Sequence, residues 1–390
     1  MTGLMYLASR HMLRRWGRSV VLIVCLAVAI ALPLTSRVLV ARFDRSLHER
    51  AATTPMVVGA KGSRFDLVFG AIYFRATELG TTTMGRYDAL RRERGIEAIP
   101  INARFTLRTT TPIVATTFEY MPRRGLTLDR GRHAAFLGEA VLGSAAAERL
   151  GVGVGDSVFS DQRQAYDITA AQSIKMQVVG VLAPSGSPDD DAAFVDLQTA
   201  WVLEGLTHGH TAATDVQTPS LIIGQSDEHI ALSAAVKEYQ EITPTNAATF
   251  HLHGDRADLP LTAVLVWPAD DKTRTIVGER VNRSLGDQSV IPTRVIDDLM
   301  AFVVRLQLVF DALAGVLLLS TATMILLIGV LSYRIREEEL RTLGEIGATR
   351  HAVAWLFGLE VAVLLGVATV LGVGIMAATL ATVSAFVPFL

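Results

Sequence analysis

The sequence predicts a membrane protein, with α-helical spans and a large α+β extracytoplasmic domain inserted between the first and second spans. Three observations carry that expectation. Hydrophobic residues make up 50% of the 390 and concentrate towards the two ends. Ser19 to Ser36, Ala312 to Ser332 and Val361 to Leu390 hold no charged residue, and about 20 apolar residues suffice to cross a bilayer core. Between the first and second runs lies a long stretch with the mixed composition of a water-soluble module. The resulting division is 1–18 cytoplasmic and amphipathic, 19–40 the first span, 41–304 the extracytoplasmic domain, 305–332 the second span, 333–351 a cytoplasmic loop and 352–390 the third span with an extension.

Taken in order, Arg10, Arg14, Arg15 and Arg18 stand at the start without an acidic residue. Met5, Ala8, Met12 and Trp16 recur at helical spacing, so the segment reads as a helix lying on the membrane surface. Those arginines hold the N-terminus in the cytoplasm. The competing reading is a signal peptide cleaved after Ala29-Ile30-Ala31. The apolar run continues through Leu34, which favours an uncleaved anchor.

Within the middle domain, Met56 to Ala60 reads as a strand, and Ser63 as the cap of a helix reaching about Phe74. The alternation and the Thr, Ile and Val content of Ile96 to Met121 predict two or three strands. A strand, a helix ending near Leu150 at the Gly151 cap and a Gly155-Asp156 turn follow. Lys175 to Leu182, Ala193 to Val195 and Leu261 to Trp267 read as further strands. His208 to Asp215 and His251 to Asp258 read as polar loops, and Asp189, Asp190 and Asp191 beside Pro188 as a solvated turn. From Arg294 a long helix begins and enters the bilayer near Ala312. Arg305 and Asp311, six apart, do not face each other on it and read as ordinary interfacial residues.

Bulk properties exclude several functions. The net charge of −2 gives no basic excess for nucleic acid. Cys25 is the one cysteine, so no disulfide framework or cysteine metal site forms within the chain. Internal repeats and low-complexity tracts are absent from the sequence. Its four lysines, Lys61, Lys175, Lys237 and Lys272, end no G-x-x-x-x-G-K-[ST] phosphate loop, and neither G-x-S-x-G nor H-E-x-x-H occurs. No enzyme activity is expected of this chain, and no bound cofactor other than the zinc considered below.

The polar island from Tyr333 to Arg350, YRIREEELRTLGEIGATR, is too short to build a pocket but long enough to be gripped. Leu340, Leu343 and Ile346 fall on one side of a short helix, ringed by Glu338, Glu339, Arg341 and Glu345, and Gly344 and Gly347 turn the chain back. With the N-terminus inside, three spans place the middle domain outside and this island inside, in keeping with its arginines.

The segment EEELRTLGEIGATRHAVAWLFGLEVAVLLGVATVLG is similar to the loop and following helix of MacB/FtsX-type ABC transporter permeases. The matching positions are Leu340, Arg341, Leu343, Gly344, Gly347, Ala348, Arg350 and Glu360. AFLGEAVLGSAAAERLGVGVGDSVF and MQVVGVLAPSGSPDDDAAFVDLQTAW resemble the periplasmic core module of the same family. The resemblance implies a subunit of the mechanotransmission type in the bacterial inner membrane. It would dimerise with a second permease copy or a paralogue, and grip a separate cytoplasmic ATPase that binds ATP and Mg. Its cargo or partner would be lipid-linked, hydrophobic, periplasmic or a lipoprotein. On that reading Glu338, Glu339, Leu340, Arg341, Leu343, Gly344 and Gly347 form the coupling element. Family members usually have a fourth span; Ala352 to Leu390 reads as one span plus an extension, so the chain is expected to be truncated or a three-span variant. Glu360 is expected to face the bundle or the cytoplasmic interface.

His208 and His210, and again His251 and His253, form two H-x-H patterns. Imidazoles two apart in an extended segment are able to share zinc, with Asp215 or Asp255 completing the site; exposed loop histidines without a metal are the plainer reading. Val57 to Ser63, VVGAKGS, resembles a segment of relatives that occur beside zinc-regulated genes. The alternative function is accordingly a membrane-anchored extracytoplasmic binding or sensor protein, linked to zinc.

Overall fold

The structure is a computed structural model that describes residues 16–161, 173–208, 222–225, 230–232, 241–243, 246–252, 254–335 and 350–386. It divides into a helical unit, Met1–Leu47 with Asp297–Leu390, and a mixed unit, His48–Ile296.

The mixed unit is built on a 10-stranded sheet. In chain order its strands are β1 (Met56–Ala60), β2 (Ile96–Leu107), β3 (Thr111–Thr116), β4 (Leu128–Gly131), β5 (Glu139–Leu142), β6 (Ser157–Phe159), β7 (Lys175–Leu182), β8 (Ala193–Asp196), β9 (Ala263–Pro268) and β10 (Asp287–Val290). They lie in the order β10-β1-β9-β2-β3-β8-β5-β7-β4, with β6 also on β7. Most neighbours are antiparallel; β3 with β8 and β5 with β7 are parallel. Every residue of β1 is buried, as expected of a strand covered on both faces.

Local sequence accounts for the elements around the sheet. The Ser63 hydroxyl caps α1 (Arg64–Ile72) by accepting from Asp66 N, and Leu67, Val68, Ala71 and Ile72 of that helix are buried. It packs on β1 and β9. Next come α2 (Met84–Arg91) against β2, and α3 (Ser144–Leu150), which ends at Gly151 with φ 67°. That left-handed conformation is open to glycine without a Cβ clash. α4 (Leu197–Leu203) packs on β2, β3 and β8, and α5 (Asp271–Arg283) on β10.

Three long helices belong wholly or mainly to the helical unit: Trp16–Ala52, Pro292–Ile335 and Arg350–Phe386; they are called H1, H2 and H3. Each holds a segment long and apolar enough to cross a membrane: Ser19–Ala52, Pro292–Leu327 and Gly358–Val383. Large apolar side chains such as Leu319, Leu326 and Val370 are about two-thirds or more exposed, a surface suited to lipid rather than water. H1 and H3 meet through small residues: Ala27 and Ala368 are fully buried, and a Cβ on Gly372 would stand 3.0 Å from Ala27 O. H3 runs unbroken through Gly372 and Gly374, and Glu360 is half-buried on it.

Arg37 Nη2 lies 2.8 Å from Asp311 Oδ2. Arg37 immediately follows the first uncharged run and Asp311 immediately precedes the second, so their contact brings the end of one run near the start of the other. Asp311 is thus ion-paired with H1 rather than a lone interfacial residue; the pairing spans 274 positions, beyond the reach of helical spacing.

Candidate functional site

The last turn of H1 carries Arg50, which is 8% exposed and lies within the mixed unit. Its guanidinium donates from Nη1 to Asp189 Oδ2 at 2.6 Å, from Nη2 to Asp189 Oδ1 at 3.0 Å and to the Tyr120 hydroxyl at 3.1 Å, and from Nε to Ile72 O at 3.1 Å. Tyr120 in turn donates to Asp189 Oδ1 at 2.6 Å, and the Ser187 hydroxyl to Oδ2 at 2.8 Å. The fork of a guanidinium matches both oxygens of one carboxylate, which fixes direction as well as distance.

Electrostatics fix the protonation states. Burial pushes the Asp189 carboxyl up, but the Arg50 charge and the hydrogen bonds from Arg50 and Tyr120 outweigh it and hold it below the ordinary carboxylate value. The Tyr120 phenol is pushed up to about 12 by burial and the Asp189 charge. At neutral pH the centre is therefore a carboxylate and a guanidinium joined by a neutral phenol that donates.

A second layer holds the chain leaving H1. Arg124 donates to the hydroxyls of Thr53 and Thr54, and its guanidinium stacks over the rings of Tyr120 and Trp267 at 5.5 and 5.7 Å. Trp267 Nε1 donates to Thr53 O at 2.8 Å. Arg50 to Thr54 is thus tied to β9, to the helical turn Tyr120–Arg123 and to the turn at Asp189. A joint that is charged, dry and bidentate holds its partners in one relative orientation.

This corrects the reading of Asp189 to Asp191 as a solvated turn. Pro188–Asp191 is a 3-10 turn in which Asp189 is fully buried and Asp190 nearly so. Asp190 accepts from the backbone N–H groups of Ser185 and Gly186. The sequence held no local signal for this, because Arg50 stands 139 positions from Asp189.

The residues singled out from sequence fall as follows. Thr207–His208 and His251–Leu252 form a two-stranded antiparallel ladder in which His208 stands opposite His251. His251 Nδ1 lies 3.0 Å from Thr249 O; a carbonyl only accepts, so Nδ1 carries the proton. His210 and His253 lie outside the described residues. Among the described residues no group of three or more His, Cys, Asp or Glu is placed to hold a metal. Glu338, Glu339, Leu340, Arg341, Leu343, Gly344 and Gly347 also lie outside the described residues, between Ile335 of H2 and Arg350 of H3.

Residues 20–242 match the model of the family described as the MacB-like periplasmic core domain, more than half of the 390 residues. The chain belongs to this family. Among solved structures, the periplasmic region of MacB from Actinobacillus actinomycetemcomitans is similar at 10% identity with a TM-score of 0.37, over 65% of this chain and 97% of that one. The extracellular domain of the noncanonic ABC-type transporter YknZ from Gram-positive bacteria is similar at 11% identity with a TM-score of 0.33, over 60% and 98%. No curated protein matches the chain. The MacB-like mixed unit, set in sequence between H1 and H2, makes this a membrane protein with a large extracytoplasmic α+β domain and a permease-type component of the ABC transporter class. The expected family and fold class are borne out.

Proposed function

We propose that this chain is the transmembrane subunit of an ABC transporter complex in the bacterial inner membrane, with its N-terminus cytoplasmic and its large domain periplasmic. It couples ATP hydrolysis by a separate cytoplasmic ATPase subunit to movement of the periplasmic domain, and so drives export or extraction of a lipid-linked or hydrophobic cargo. The observation that carries the reading is the MacB-like match over residues 20–242. ATP and Mg are bound by the partner. Glu338, Glu339, Leu340, Arg341, Leu343, Gly344 and Gly347 form the surface that the partner grips. A second permease copy or a paralogue completes the membrane assembly, and a periplasmic or lipoprotein partner receives or supplies the cargo.

The clamp on Arg50 suits this role. The two hydrogen bonds of the fork hold Arg50 and Asp189 in one orientation, so displacement of the last turn of H1 would be passed to the turn at Asp189 instead of being lost in local slippage.

The test is purification of the tagged chain expressed with its genomic neighbours, with mass spectrometry of what accompanies it. A stoichiometric ATPase is expected, and is expected to be lost when Glu338 and Glu339 are changed to Lys and Arg341 to Glu. Retention of the ATPase by that triple variant sinks the coupling assignment. One observation favours the second reading, a zinc-linked binding or sensor protein: His208 and His251 are cross-strand neighbours, which puts one histidine of each H-x-H pair on a shared ladder. Purification without an ATPase, together with zinc bound at one equivalent and lost in His208→Ala, supports that reading instead.

A further inference from the structure

A cavity of about 310 Å³ opens within the mixed unit, between α5, the first turn of H2 and the start of α1. That volume is at the small end of ligand sites. Met56, Val290 and Val295 close its floor and are buried, so a ligand meets the polar side chains around them. Arg64, Arg274 and Arg294 all line it and come from three different elements, whereas Glu279 is the one carboxylate among the lining residues.

Two features distinguish this cavity from a scatter of surface arginines. Arg294 stands exposed in the first turn of H2, which holds no acidic residue. The helix dipole puts partial positive charge there, so a cation at that point is unfavourable until an anion joins it. Asp297 and Asp298 follow in the next turn but do not line the cavity. The second feature is the amide of Asn282, whose Oδ1 accepts from Ser289 N at 2.7 Å. That bond fixes which end of the amide is engaged, and the group the side chain still offers is its Nδ2 donor. Arg274 donates to Asp271 Oδ1 at 3.1 Å, but the Asp271 side chain is 89% exposed. A surface pair of that kind is worth little and uses only part of the guanidinium.

We propose that this cavity binds a small phosphate monoester, its phosphoryl group held by Arg274 and Asn282 from α5 and by Arg294 from H2. Three phosphoryl oxygens radiate in different directions and accept from donors on both sides, and the group carries close to two charges at neutral pH. A carboxylate presents two oxygens in one plane and a single charge. Glu279 opposes any anion, and with three arginines around it lowers the positive charge of the lining without reversing it. This site is independent of the ATPase coupling proposed above, and binding alone reads it.

The test is calorimetric titration of the full chain in phosphatidylcholine nanodiscs with glycerol 3-phosphate, and with lactate as the carboxylate counterpart, subtracting empty nanodiscs. Saturable binding of the phosphate ester is expected, weakening as KCl is raised, with lactate at least tenfold weaker. Arg274→Gln and Arg294→Gln should each weaken the ester about tenfold, the loss of a hydrogen bond between charged groups. Glu279→Gln should tighten it, which a merely structural role would not do. Arg280→Gln, on the same helix but paired with Glu93 and outside the cavity lining, should leave it unchanged. If Arg294→Gln fails to fold, Arg274→Gln and Glu279→Gln still decide. Nanodiscs carrying phosphatidic acid, against phosphatidylglycerol discs of equal charge, separate the sources of the ligand. A lipid headgroup that reaches the cavity competes with the soluble ester, and an unchanged affinity assigns the site to a soluble one. Equal uptake by the parent chain, the variants and empty nanodiscs overturns the proposal, and so do lactate binding as tightly as the ester and weaker binding in Glu279→Gln.

Discussion

Arg50 takes a full charge into a place where 8% of the residue sees water, and its partner Asp189 is drier still. Desolvation of two ions at this depth offsets most of their attraction, so the pair adds little net stability against an apolar pair of similar volume. Removing one partner is another matter. Arg50→Met should destabilise the mixed unit by roughly 3 to 5 kcal/mol, because Asp189 is left buried and unpaired. Arg50→Met with Asp189→Leu should recover most of that loss. Chemical denaturation followed by the fluorescence of Trp267, which sits in the same cluster, measures both; an equal loss in single and double variants would mean that the charges are not the dominant interaction. The pH dependence follows from the same groups. Asp189 is held below its ordinary value, so its contribution is complete above about pH 4 and lost as pH falls through the folded value. Tyr120 is raised to about 12, so its contribution is complete below about pH 10 and lost as pH rises towards 12. Stability should therefore hold level across the neutral range and fall on both sides. Tyr120→Phe should shrink the alkaline limb, leaving the share of the Tyr73 and Tyr87 phenols, which burial also raises. It should weaken the acid limb too, because it removes a hydrogen bond that lowers Asp189; an unchanged alkaline limb would assign that loss to other groups.

At the scale of elements, what could be read in advance was what neighbouring residues decide. Ser63 three positions before Asp66 N, and Gly151 closing the helix at Leu150, are local signals, and both caps form. The strand at Met56 to Ala60 is an unbroken apolar run and is buried throughout. α5 was not legible, because DKTRTIVGERVNR offers only Val277, Gly278 and Val281 to the core and so shows almost no apolar stripe. Nor was the Arg50 centre, whose members Arg50, Tyr120 and Asp189 are 70 and 69 positions apart in turn. Pairings at such distances depend on sheet order, which periodicity does not report. The small residues of H1 and H3 are an intermediate case: Ala27 and Gly372 are visible as small, but that they touch is not. Since a Cβ on Gly372 would meet Ala27 O at 3.0 Å, Gly372→Val should force these helices apart, as closely packed spans depend on small residues at the crossing. Thermal unfolding in nanodiscs should show a lower midpoint for Gly372→Val and a much smaller change for Gly366→Val, where a Cβ meets nothing within 4 Å. Equal effects at both glycines would point to helix propensity in place of packing.

For the molecule as a whole, the proposed coupling depends on which side of the membrane each part occupies. Three candidate spans and a basic start put the mixed unit outside and the segment between H2 and H3 inside if the N-terminus is cytoplasmic. The positive-inside bias acts through short segments near the spans, so Arg10, Arg14, Arg15 and Arg18 set the expectation, together with the arginines between Tyr333 and Arg350. The charges of the large domain carry no weight in it. The lone Cys25 makes this directly measurable. With Cys25→Ser as the background, Leu285→Cys places a thiol on the mixed unit where the native side chain is 96% exposed, and Glu345→Cys places one in the loop. In intact spheroplasts a membrane-impermeant maleimide should label Leu285→Cys fully and Glu345→Cys only after permeabilisation. The reverse pattern would leave the loop out of reach of a cytoplasmic ATPase and remove the basis of the transporter reading, whereas labelling of both before permeabilisation would mean that one candidate span does not cross. The expected pattern leaves the segment after H2 facing the compartment that holds ATP and the mixed unit facing the one that does not, which is the arrangement the proposed coupling requires.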